Sequence, residues 1–132
     1  MGVPFYADWF SLKIRRNRQS YIFASCVLIG ILFLIPLLLS AYPIKENSKT
    51  VIEIIFYAPA FIVSYCLIIQ RLRDMNLSGW FALLWGLVYF IDSPFVDVLN
   101  VGFLLVLWSV PGSIGANKYG IDPLNEQSMV IR

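Results

Sequence analysis

The sequence predicts an all-α integral membrane protein, a compact bundle of four transmembrane segments with the last two short and an interfacial segment at the N-terminus. Three observations predict it. The 132 residues are 59% hydrophobic and 14% charged, against about 45–50% and about 25% in soluble domains, and the mean hydropathy is +0.75. The apolar residues gather into long runs at 21–42, 51–70, 77–91 and 95–110. Apart from Glu53 and Asp97, the charges lie between or beside these runs rather than inside them. The length suits a single membrane domain over 1–132 and leaves no room for a separate soluble catalytic domain.

Residues 1–20 open with the aromatic piece Phe5-Tyr6-Ala7-Asp8-Trp9-Phe10 and turn basic at Lys13, Arg15, Arg16 and Arg18. Rings settle at the head-group level and basic groups meet lipid phosphates, so this segment reads as interfacial, with Trp9 and Tyr21 as anchors. Residues 21–42 form the first span, about 33 Å long as a helix against a hydrocarbon core of about 30 Å. The run is too long for a signal-peptide core and lacks a small-x-small cleavage site, so it reads as a retained span. Pro36 inside it predicts a kink or one tightened turn. After a polar loop with Lys45, Glu46 and Lys49, residues 51–70 form a second span of about 30 Å interrupted by Pro59. Glu53 sits in its first turn, where it can reach the interface and the helix dipole favours it.

Arg71-Leu-Arg-Asp-Met-Asn-Leu-Ser-Gly-Trp80 is a charged island between two apolar stretches. Arg71 and Asp74, three apart, can pair if the second helix continues that far. Asn76 to Gly79 then turn the chain, and Trp80 anchors the next segment at the interface. Residues 77–91 and 95–110 give only about 22–24 Å each as helices, as two tilted spans or as a re-entrant hairpin. Ser93-Pro94 reads as the N-cap and first residue of the last helix, with Asp97 in its first turn. Residues 111–132 form a tail that begins with a Pro/Gly-rich exit. Its spacing matches neither a P-loop nor a dinucleotide fingerprint, which points to a helix terminator folding back beneath the bundle. Lys13, Arg15, Arg16, Arg18, Arg71, Arg73, Lys118 and Arg132 fall on one side, and only Lys45 and Lys49 on the other. The positive-inside rule therefore puts both termini and the island of this multi-pass chain in the cytoplasm.

Three blocks then resemble the YhaH-like bacterial inner-membrane proteins, domain-of-unknown-function family 805, across nearly the whole chain. Arg15-Arg-Asn-Arg18-Gln-Ser-Tyr21 resembles that family's arginine-rich approach to its first span, and Arg71-Leu-Arg-Asp74 with Ser78-Gly-Trp80 its central block. Pro111-Gly112, Gly115, Asn117-Lys-Tyr-Gly120 and Asp122-Pro123 resemble its C-terminal signature. The departures are Ile14 where glycine is usual, Ile22 where tryptophan commonly follows the tyrosine, and Arg73 where many members carry histidine. The resemblance implies a four-helix inner-membrane fold and no established activity.

The function classes narrow on chemistry. There is no histidine, hence no usual general base and no Cys/His or Ser/His pair, and Asp74, Asp92 and Asp97 lack a diagnostic metal spacing. The expectation is a non-enzymatic protein with no catalytic or metal residues and no cofactor. Cys26 and Cys66 lie in apolar runs and read as small hydrophobes. A net charge of +2 gives no ground for nucleic-acid binding. The favoured reading is an accessory protein in which Arg18, Arg71, Arg73 and Lys118, held by Asp74, form a cytoplasmic patch. That patch would bind anionic lipid of the surrounding membrane or a membrane or cytoplasmic protein partner. The alternative is an oligomeric pore or transporter for small ions or solutes, lined by Glu53 and Asp97. Cys26 with Gly30, Ala60 with Ser64, and Ala82 with Gly86 are small residues four apart, expected to pack within the bundle while leaving self-association open.

Overall fold

The computed structural model describes residues 9–89 and 91–124. Phe5 to Asp8 of the expected interfacial segment, and residues 125–132 of the expected tail with Arg132, lie outside the described residues. Among the described residues four helices follow in order, α1 (Arg18–Ala41), α2 (Glu46–Asp74), α3 (Trp80–Tyr89) and α4 (Pro94–Ser109). Among the described residues the β-structure is one isolated bridge between Asn117 and Gly120.

Helix α1 begins where Asn17, in extended backbone, accepts the Ser20 N–H on its side chain at 2.8 Å, satisfying one of the donors a helix start leaves open. Both long helices run through their prolines, Pro36 and Pro59. A proline there removes one backbone bond but does not end a helix whose flanking apolar residues must keep their backbone paired in lipid. At 24 and 29 residues they are about 36 and 44 Å long. They are long and apolar enough to cross a membrane by length and composition. Their outward faces agree, with Phe33, Leu37, Ile54 and Phe56 all exposed; side chains like these cost free energy in water and none in lipid. Inward, Tyr21, Ala24 and Leu28 of α1 join Ala60, Val63 and Leu67 of α2 in one core cluster, which Ala82 and Leu107 complete from the other two helices.

The end of α2 is a Schellman turn. The Leu77 N–H reaches the Leu72 carbonyl at 2.8 Å and the Asn76 N–H the Arg73 carbonyl at 3.0 Å. Asn76 holds the left-handed φ of 60° this requires, a conformation asparagine tolerates better than most residues. The turn uses residues 76–79, so α3 covers Trp80–Tyr89 and not the expected 77–91. Ten residues make about 15 Å, and the 16 of α4 about 24 Å. Among the described residues two helices are therefore of spanning length, and the other two form a shorter hairpin. Ser93 does precede α4 in extended backbone with Pro94 behind it. Its carbonyl, rather than its hydroxyl, takes the first N–H groups, those of Val96 and Asp97.

Close packing holds the hairpin against the long pair. A Cβ on Gly86 would fall 1.0 Å from the Tyr65 hydroxyl, so the missing side chain at residue 86 makes room for the tip of the Tyr65 ring against α3. Ala82 and Ala60 are buried in the same cluster. Trp108 of α4 donates its indole N–H to Ser25 of α1 at 3.0 Å. The Cys26 and Gly30 pair departs from expectation. Cys26 is exposed and nothing lies within 4 Å of a Cβ built on Gly30, because the face of α1 that meets α2 and α4 carries Tyr21, Ala24, Ser25 and Leu28 instead.

Candidate functional site

The polar centre of the molecule is at its basic end, where α2 stops and the loop after α4 folds back. Arg71, on the last turn of α2, is fully buried. Its Nε donates to the Leu107 carbonyl at 3.0 Å and its Nη1 to the Arg16 carbonyl at 3.4 Å. It also bonds the Asp74 carboxylate through Nη1 and the Val110 carbonyl through Nη2. Leu107 and Val110 belong to the C-terminal turn of α4 and its cap, whose carbonyls have no partner within the helix. The guanidinium thus caps α4 from α2, where the negative end of the helix dipole favours a cation.

Arg15 performs the same work for the loop. Its Nε and Nη2 donate to Asp74 Oδ1 at 3.3 and 3.2 Å, and Nη2 reaches the Ser113 carbonyl at 2.7 Å. Its Nη1 takes the carbonyls of Gly115 and Gly120 at 2.7 and 3.1 Å. Asp74 therefore sits between two arginines, with side-chain exposures of 1% for Arg15 and 5% for Asp74. A buried charge is tolerable only when paired and fully bonded, and this set meets that demand. Arg16 joins from alongside, Nε to Gln70 Oε1 at 2.6 Å and Nη1 to Ser20 at 2.6 Å. Gln70, itself fully buried, donates back to the Ser11 carbonyl at 2.7 Å.

Two small residues make the closure fit. A Cβ on Gly112 would lie 2.0 Å from Asp74 Oδ2, so the loop backbone passes against the carboxylate only because residue 112 has no side chain. Ser113 bonds the Asp74 carbonyl twice, through its N–H at 2.7 Å and its hydroxyl at 2.9 Å. Asn117 donates to the Arg73 carbonyl at 2.9 Å and to Ser113 at 2.8 Å. Asp122 accepts from the N–H groups of Gly115 at 2.9 Å and Leu124 at 3.0 Å. The N–H of Leu124 foremost, with those contacts from Gly115 and the Arg15 guanidinium, holds the Asp122 carboxyl below its ordinary range despite its burial.

Around this closed centre stand cations of another kind. Arg73 and Lys118 flank the Tyr119 ring, the guanidinium carbon 5.2 Å and the Lys118 Nζ 4.9 Å from its centroid. Among the described residues no carboxylate pairs with Lys13, Arg18, Arg73 or Lys118. Arg18 is exposed and makes one long bond, 3.4 Å, to the Ser109 carbonyl. It shares a cleft of about 270 Å³ with Ile114 and Leu124, and Ile114 is 98% exposed.

The five residues expected to form one patch thus fall into three places. Arg71 and Asp74 are paired in the buried centre, Arg73 and Lys118 meet over Tyr119, and Arg18 stands beside the α4 terminus. Of the expected anchors, Trp80 is 73% exposed, Trp9 packs partly buried against the core, and Tyr21 lies inside the core cluster. Tyr21 is one turn too far into α1 to stay at the surface once α2 closes over it. Glu53 lines a groove of about 780 Å³ between the helices, whereas Asp97 is exposed on α4 and does not line it. Sequence reasoning counted Arg15 and Arg16 as topology signals and missed them as buried ligands of Asp74 and Gln70. No local spacing could reveal them, since their partners are more than fifty residues away.

The family described as Protein of unknown function (DUF805) matches residues 9–121. Two curated relatives named Inner membrane protein YhaI, from Escherichia coli strain K12 and from Escherichia coli O157:H7, are each similar at 33% identity over 72 residues. The match covers 54% of this chain and 53% of each relative, so the chain spans about half the length of the curated relatives it matches. No solved structure matches.

Proposed function

The chain belongs to the DUF805 family, and from that premise we propose that it is a non-enzymatic accessory protein of the bacterial inner membrane whose cytoplasmic basic surface binds anionic phospholipid head groups. The observation that carries this reading is the division of the cations into two sets. Arg15, Arg16 and Arg71 spend their donors on the protein itself, which makes the basic end a rigid base. Lys13, Arg18 and Lys118 remain exposed and Arg73 half-buried, none of them with a carboxylate among the described residues. Basic side chains near an anionic leaflet contribute about 1 kcal/mol each, and Tyr119 holds two of them in place by cation–π contact.

Exposed Phe10, Leu12, Ile114 and Leu124 at the same end suit a surface that meets head groups and the upper acyl region together. The relatives' name, inner membrane protein, and the surplus of Lys and Arg at this end support a cytoplasmic orientation for it. The whole chain acts as a single membrane domain in this account.

Native mass spectrometry of the protein released from bilayers containing phosphatidylglycerol tests the reading. The unmodified protein should retain phosphatidylglycerol in preference to phosphatidylcholine, and the double variant Arg73→Gln, Lys118→Gln should lose that preference while remaining folded. Equal retention of the two lipids, or a foreign protein in place of lipid, would sink the lipid assignment.

A further inference from the structure

One ridge of α2 changes chemistry along its length. Glu53, Tyr57, Phe61 and Tyr65 follow one another at intervals of four residues, so they share a helix face and rise about 6 Å from each to the next. All four line the groove of about 780 Å³ beside α2. Trp85 of α3 and Phe103 of α4, stacked with centroids 4.3 Å apart, line it as well. Ile54 and Phe61 of the lining are exposed, which leaves the groove open sideways to surrounding lipid. Along it the lining passes from a carboxylate, through a phenol hydroxyl, to apolar ring faces.

The acidic end of this ridge falls at the depth of a head group. Glu53 lies eighteen residues before Arg71 on α2, about 27 Å along the helix, close to the hydrocarbon thickness of about 30 Å. With the basic end at one membrane surface, Glu53 comes to the opposite one. It is half-buried and forms no ion pair among the described residues; Lys49, one turn before it, bonds Glu46 instead at 3.0 Å. A phospholipid presents the matching order from the surface inward: a charged head, ester carbonyls, then a hydrocarbon chain. A carboxylate at the first position favours a cationic head, and above all one with N–H groups, since a charge-assisted hydrogen bond needs a donor.

We propose that the groove holds one phosphatidylethanolamine molecule from the leaflet opposite the basic end. Its ammonium donates to the Glu53 carboxylate, an ester carbonyl accepts from the Tyr57 hydroxyl about one turn deeper, and one acyl chain lies along Phe61, Tyr65 and the Trp85–Phe103 stack. Phosphatidylcholine has the same charge and chains but no N–H, and phosphatidylglycerol has no cation, so Glu53 selects among lipids that the rings alone would accept equally. The proposal is independent of lipid binding at the basic end. It uses none of the cations there and takes a head group of the other kind.

The test is native mass spectrometry of the protein released from bilayers containing equal amounts of phosphatidylethanolamine and phosphatidylcholine. The unmodified protein should retain phosphatidylethanolamine over phosphatidylcholine by about threefold to tenfold, the ratio expected for a half-buried charge-assisted hydrogen bond. Glu53→Gln should bring the ratio to about one. Tyr57→Phe should lower retention of both lipids and leave their ratio unchanged, because the ester is common to both. Each substitution keeps the size of the side chain, so neither disturbs the packing of α2. The Arg73→Gln, Lys118→Gln variant should keep the preference for phosphatidylethanolamine, which separates this site from phosphatidylglycerol binding at the basic end. Equal retention of the two lipids by the unmodified protein, a preference that survives Glu53→Gln, full retention by Tyr57→Phe, or a small non-lipid mass in place of the lipid would each overturn the proposal.

Discussion

Arg71 shows why arginine, and not lysine, belongs at the junction of α2 and α4. Its planar fork reaches three carbonyls and one carboxylate from a single buried position, which one ammonium nitrogen cannot do. Removing one partner of a buried ion pair costs about 3–5 kcal/mol because the other charge stays buried. Arg71→Gln is accordingly expected to lower stability by about that amount, measured by thermal unfolding in detergent micelles. Gly112→Ala should cost about 1–3 kcal/mol, since its methyl meets a carboxylate that two arginines prevent from moving; the same unfolding assay reads it.

Asp122 gives a dependence on pH. Its folded-state pKa is depressed, so its contribution is fully present above the unfolded value of about 3.9 and is lost as the pH falls through the depressed one. The stability difference between the protein and Asp122→Asn should be constant above about pH 5 and shrink toward zero in acid. A difference that grew as the pH fell would contradict this.

At the scale of elements, much was legible and the remainder has identifiable causes. The two long helices follow from apolar runs bounded by charge, and the Arg71 and Asp74 pair from a spacing of three on a continuing helix. Asn76 as the turn and Ser93-Pro94 as the start of α4 are local signals that the backbone obeys. The extent of α3 was not legible, because Leu77 is apolar yet closes the Schellman turn, and Ser78 and Gly79 lead into the helix only after it. The outward face of Cys26 and Gly30 was not legible either, since a small pair on a helix does not say whether a neighbour is present. The hairpin has a direct consequence. With α4 about 24 Å long against a core of about 30 Å, the expectation is a tip that stops short of the far surface. In a background lacking Cys26 and Cys66, a cysteine at Ser93 should react with a membrane-impermeant maleimide far more slowly than one at Ser48 in the loop before α2. Equal rates would mean that the hairpin crosses fully.

For the whole molecule, the arrangement separates holding from binding. Buried Arg15, Arg16 and Arg71 tie the N-terminal segment, the end of α2 and the loop after α4 into one base. In the proposed function, the cations left outside that base face a leaflet of opposite charge. Sequence blocks rich in arginine made this end visible but could not sort one set from the other, because sorting depends on contacts between residues about 36 to 105 positions apart. The proposed account gives the two sets different thermodynamic signatures. A ligand that binds the folded state raises its stability by mass action, so a lipid site is seen as a shift and a structural site as an offset.

The most direct test is the unfolding temperature with and without phosphatidylglycerol, measured on the protein, on Arg71→Gln and on the Arg73→Gln, Lys118→Gln double variant. The account predicts that phosphatidylglycerol raises the unfolding temperature of the protein. It predicts a lower baseline but the same lipid-dependent rise for Arg71→Gln, and a normal baseline with no rise for the double variant. An undiminished rise in the double variant, or a rise lost only in Arg71→Gln, would contradict it.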